Sequence, residues 1–98
     1  MDTERRVQQL FVRRRGGRIE LSWVLEDPAG ARFRETFPTM DTAADAAVGT
    51  AARHLARRGD VVGAPKLRVR VEGNGTLTDA PELARAFRRA WRAERNRT

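Results

Sequence analysis

Cysteine and tyrosine are both missing from this 98-residue chain, and histidine and lysine occur once each. Without cysteine there is no disulfide framework, no thiolate metal site and no cysteine nucleophile. The lack of tyrosine, with only four Phe and two Trp, works against a single-strand reader that stacks bases on the exposed aromatics of a sheet. No apolar run approaches the roughly 20 residues of a membrane-spanning helix. The stretch Met1-Asp2-Thr3-Glu4-Arg5-Arg6 leads into no signal-type apolar core, so a cytoplasmic location is the expectation. Catalytic motifs are missing as well: there is no G-x-S-x-G, no P-loop and no H-E-x-x-H. His54 sits near the edge of an apolar helical stripe with no nucleophile spaced to use it, which suits a partly buried structural histidine. Gly73-Asn74-Gly75 lacks the lysine and following helix of a phosphate-cradling loop. Glu26-Asp27 reads as a solvated turn. The expectation is a protein that is not an enzyme and needs no cofactor or metal.

What the chain has in quantity is arginine. Nineteen of its twenty cations are Arg, Lys66 is the other, and the net charge is +7. A GC-rich genome choosing arginine codons is one reading of the arginine-over-lysine ratio, but it would not explain the excess of cations over anions. A small domain stays soluble with less charge than this, so cations gathered into stripes point to an anionic partner.

At 40% hydrophobic and 34% charged, with regular apolar periodicity, the chain reads as one small folded domain over residues 1–98. Residues 7–14 are a strand, with Val7, Gln9 and Phe11 on one side and Leu10 and Val12 on the other. Gly16-Gly17 makes a hairpin turn. Ile19, Leu21, Trp23 and Leu25 alternate with Glu20, Ser22, Val24 and Glu26, the period of a half-buried strand. Asp27-Pro28-Ala29-Gly30 turns the chain. A third strand, 32–37, puts Phe33, Glu35 and Phe37 on one side and Arg32, Arg34 and Thr36 on the other.

Thr42 to Asp45 resembles a capping box opening a helix that ends before Gly59, with Ala44, Ala47, Val48, Ala51 and Leu55 as its apolar stripe. Residues 59–65 read as a loop and 66–72 as a fourth strand, with Leu67, Val69 and Val71 inward. Asp79 and Glu82 around Pro81 read as the cap of a last helix running to about Arg95. Its Leu83, Phe87, Ala90 and Trp91 face the core. The order is β-β-β-α-β-α. The fold class is α+β, a two-layer sandwich with a four-stranded, mainly antiparallel sheet and two helices on one face.

On the last helix Arg85, Arg88, Arg89 and Arg92 lie opposite the apolar stripe, balanced only by Glu94. Guanidinium forks bond phosphate bidentately, which suits a surface that reads a nucleic-acid backbone. Arg68 and Arg70, with Arg32 and Arg34, would face outward from the sheet beside glutamates able to neutralise them across strands. The plain alternative for every one of these residues is a solvated face. With no exposed aromatics, the expected target is duplex DNA or structured RNA, held by phosphate contacts and with little sequence specificity. A second reading is a protein-interaction module that docks an acidic protein or forms a homodimer, motivated by the surplus apolar residues Leu10, Phe11 and Val12. The arginine run 13–15 fits either a turn or a contact loop. Phe87 and Trp91 would also suit a helix lying on anionic membrane, although such residues more often serve a core.

The segment ELSWVLEDPAGARFRETFPTMDTAADAAVGT, Glu20 to Thr50, is similar to the arm-binding N-terminal domain of tyrosine recombinases. The shared elements are the Trp23 strand, the Asp27-Pro28-Ala29-Gly30 turn, the strand bearing Phe33 and Phe37, and the helix start from Thr42 to Ala46. In that family a three-stranded sheet precedes a helix and enters the DNA major groove, which would make Arg32 and Arg34 the contact candidates. Continued through LRVRVEGNGTL, the segment also resembles short bacterial stand-alone domains of unknown function. The chain departs from the recombinase pattern by adding a fourth strand and an arginine-rich helix and by lacking a catalytic domain.

Overall fold

The computed structural model describes residues 4–97. Its elements are β1(Arg5–Arg15), β2(Arg18–Glu26), β3(Arg32–Pro38), α1(Ala44–Ala56), β4(Val61–Gly63), β5(Arg68–Gly73), β6(Thr76–Asp79) and α2(Pro81–Arg95). The α+β class and both helices are as expected. The sheet differs: it is mixed and six-stranded, in the order β3-β2-β1-β5-β6, with β4 beside the start of β1. The chain order is therefore β-β-β-α-β-β-β-α rather than β-β-β-α-β-α. β1 pairs in parallel with both β4 and β5, because the chain crosses over through α1 before it returns to the sheet.

The antiparallel meander forms where the turns dictate it. Gly16 and Gly17 both take positive φ, +59° and +80°, as a two-residue hairpin that follows the twist of its strands requires. Asp27 Oδ1 accepts from the N–H groups of Ala29 and Ala31, closing the β2–β3 turn. A bulge between Val7 and Gln9 adds one residue to β1. It turns Val7 inward with Leu10 and Val12, where strict alternation placed it beside Gln9 and Phe11. β1 is thus the central strand, and its surplus apolar residues are used within one chain: Leu10 and Val12 are buried and Phe11 is half-buried on the opposite face.

Both helices share one core with the inner face of the sheet. Leu10, Leu21, Trp23, Leu25 and Val69 meet Val48, Ala51 and Leu55 of α1 and Leu83, Ala84 and Phe87 of α2. Alanines along α1 allow its close approach. Burying each large apolar side chain stabilises the fold by about 1.5–3 kcal/mol. Neither helix start is capped as expected. The N-cap of α1 is Ala43 and that of α2 is Ala80, both without a side-chain cap bond. Asp41, just before α1, accepts from the Thr50 hydroxyl at 2.9 Å, and Asp79 belongs to β6. His54 is exposed rather than partly buried and stacks on Phe37, with ring centroids 4.8 Å apart.

One polar network pins the β3 edge to the core. The Trp23 indole N–H donates to Glu35 Oε1 at 2.8 Å, and Arg58 donates to both Glu35 oxygens and to both Asp60 oxygens. The Arg58 hydrogen bonds hold both carboxyls below their ordinary range, against the opposing effect of burial. A carboxylate with a lowered folded pKa contributes stability above its unfolded pKa, roughly 4, and loses it as pH falls through the lowered value. Melting temperature is therefore expected to fall as pH drops below roughly 5. In Glu35→Gln that acid limb should be shallower, and a limb of unchanged steepness in thermal melts would contradict this role.

Candidate nucleic-acid interface

α2 starts where Pro81 supplies a preset φ in the first turn and Glu82 suits the positive end of the helix. Leu83, Ala84 and Phe87 are buried, Ala90 and Trp91 pack partly buried beside them, and this anchoring turns the opposite face outward. Arg85, Arg89 and Arg92 are exposed there, and Arg88 is half-buried. Among the described residues none of these four makes an ion pair with a carboxylate. Glu94, the acid expected to offset them, lies on the other side of the helix. It accepts from Arg57 at 2.9 Å and sits 3.9 Å from Arg97. The Arg57 hydrogen bond holds its carboxyl below the usual range. Glu82, one turn before Arg85, forms no ion pair with it. Four guanidinium groups along one helix face thus lack an internal counter-ion.

The strand arginines are arranged differently. Cross-strand register sets Arg32, Arg34, Arg68 and Arg70 on the sheet face away from the helices: the row Arg34–Val24–Gln9–Arg68 crosses four strands, and Arg70 pairs with Phe11 and Asp79. On this face Arg32 bonds Glu26 at 3.0 Å, and Arg68 and Arg70 share Asp79 at 3.1 and 3.3 Å. The Asp79 carboxyl is lowered, first by the Arg68 hydrogen bond. Arg34 donates to the Ser22 hydroxyl and lies over the Phe11 ring, 4.8 Å from its centroid. The run at 13–15 is strand, not loop: Arg13 bridges Glu20 and Glu72, Arg15 also reaches Glu20, and Arg14 donates to the Thr42 carbonyl. Five of these arginines, Arg13, Arg15, Arg32, Arg68 and Arg70, are held by four carboxylates, Glu20, Glu26, Glu72 and Asp79. Since an anionic ligand would have to displace these carboxylates, the triple replacement Arg32→Gln/Arg68→Gln/Arg70→Gln is expected to weaken duplex binding less than about threefold. A loss as large as that from the helix arginines, measured by anisotropy, would contradict this ranking.

Two open clefts flank Arg88. One, about 540 Å³, lies between α2 and the segment 62–65, with Arg6, Arg88 and Arg92 among its lining residues. The other, about 380 Å³, lies between α2 and β5, bordered by Arg68, Asp79, Arg85 and Arg88. Arg88 donates to the Leu67 carbonyl at 3.4 Å, which fixes it between the two. Residues 64–67 leave the sheet because Pro65 has no N–H to give a ladder, and that excursion forms the wall facing α2. Arg6 was not among the residues picked out from sequence. It joins the site only because β4 runs alongside the start of β1, a pairing with no local signature. Among the described residues no helix is long and apolar enough to cross a membrane, and no group of His, Asp and Glu side chains is placed to hold a metal ion. No family model, curated protein or solved structure matches this chain.

Proposed function

We propose that this chain is a non-enzymatic nucleic-acid-binding protein that grips the phosphate backbone of duplex DNA or structured RNA with the outer face of α2. The observation that carries the reading is the set of four arginines, Arg85, Arg88, Arg89 and Arg92, presented together without a carboxylate partner. Guanidinium groups without a carboxylate partner on a rigid helix, spaced one turn apart, meet phosphates without first breaking an ion pair. Arg6, in no ion pair among the described residues, borders the cleft beside α2. The sheet face contributes less in this reading, because Arg32, Arg68 and Arg70 are already engaged by carboxylates, the last two sharing Asp79.

Fluorescence anisotropy with labelled duplex DNA, duplex RNA and single strands tests the proposal. Binding is expected at about 50 mM salt, stronger for duplexes than for single strands and nearly indifferent to base sequence. No binding to any of the probes at that salt would overturn it.

A further inference from the structure

We infer that the cleft between α2 and residues 62–65 seats the terminal phosphomonoester of a nucleic-acid strand, a site for strand ends that adds to the backbone grip proposed above and rests on it. Three guanidinium groups from two elements border the cleft: Arg6 from β1 and Arg88 and Arg92 from α2. None of them is ion-paired among the described residues, and the only acid in the lining is Glu4. A terminal phosphate carries close to two negative charges near neutral pH, whereas an internal diester carries one. Three arginines on one cleft, none held by a carboxylate, therefore favour an end over the middle of a strand.

The remainder of the lining suits what is attached to that phosphate. Val62, Pro65 and Trp91 supply apolar wall, and the volume lies within the range of small-ligand pockets, about 300–1,000 Å³. Trp91 is held between neighbours one turn away on each side. Phe87 stacks against it at 6.0 Å between ring centroids, and the Arg95 guanidinium lies over its ring at 4.8 Å. It is thus a fixed wall, and its indole N–H donates to no acceptor among the described residues. Because Arg88 and Arg92 also belong to the outer stripe, a backbone lying along α2 can run directly into the cleft at its end.

The test compares one blunt duplex carrying a 5′-phosphate, a 3′-phosphate or no terminal phosphate, by competition anisotropy. A phosphorylated end is expected to bind about tenfold tighter than the bare one, and the two arms show which end fits. Arg6→Gln should abolish the difference between phosphorylated and bare ends, with any smaller loss of affinity shared equally by all three duplexes. Val62→Glu, a change at a partly exposed position that places an anion in the cleft, should do the same. Equal affinity for all three duplexes, with salt-dependent binding intact, would overturn the cleft and leave the backbone reading standing. AMP, with adenosine and inorganic phosphate as controls, separates the opposite case: quenching of Trp91 fluorescence by AMP without any duplex binding would overturn the backbone reading and keep the cleft.

Discussion

Replacing Trp23 with alanine should destabilise the fold by about 3–5 kcal/mol and lower its melting temperature by roughly 15 °C or more. Trp23, on β2, is 1% exposed and packs against Phe37 and the His54 ring, so truncation leaves a large cavity that the rigid sheet cannot fill. It also withdraws the indole N–H from Glu35. Trp23→Phe is the milder change, because it keeps a six-membered ring but loses the indole N–H and three buried ring atoms, at a cost of about 1–3 kcal/mol. With total stability of about 5–15 kcal/mol expected for such a domain, the alanine variant should be close to half unfolded well below the parent's transition. A thermal melt of Trp23→Ala within a few degrees of the parent would contradict this placement of the core.

The same contacts show what was legible in the sequence. Trp23 stood out as inward-facing because period-2 alternation over 19–26 is a local signal, and Gly16-Gly17 marked its hairpin for the same reason. β4 was not legible: three residues, Val61–Gly63, gain strand geometry only from β1 beside them. β6 had a signal that was misread. Asn74 and Gly75, at φ +52° and +80°, make the turn of a β5–β6 hairpin, a role that Asn-Gly commonly fills. Asp79 before Pro81 looked like a helix cap, yet its carboxylate is held by Arg68 and Arg70. Parallel pairing of β1 with β5 leaves no trace in alternation, which has the same period beside either kind of neighbour. The α2 arginine face was legible because helical spacing alone puts Arg85, Arg88, Arg89 and Arg92 opposite Leu83 and Phe87. That the strand arginines would be neutralised could be suspected from nearby acids, but the partners depend on register.

The second large effect concerns binding. Replacing Arg85, Arg88, Arg89 and Arg92 together with glutamine is expected to reduce duplex affinity about 100-fold at low salt, while thermal stability changes little. The side chains lie on the solvent side of α2 and none holds an ion pair, so only the Arg88 hydrogen bond to the Leu67 carbonyl is lost from the fold. Glutamine keeps helix propensity and length while removing charge. Charge reversal of Glu82 on the same helix, Glu82→Lys, should move affinity the other way by a smaller factor. An unchanged affinity in the quadruple variant would place the contact surface elsewhere.

The salt dependence of duplex binding probes the account at its root. Four phosphate contacts predict a plot of log affinity against log salt with a slope of about −3.6, flattening nearly to zero in the quadruple glutamine variant. A slope near zero in the intact protein, or one that survives loss of the four arginines, would contradict the claim that guanidinium groups on α2 without a carboxylate partner hold the phosphate backbone.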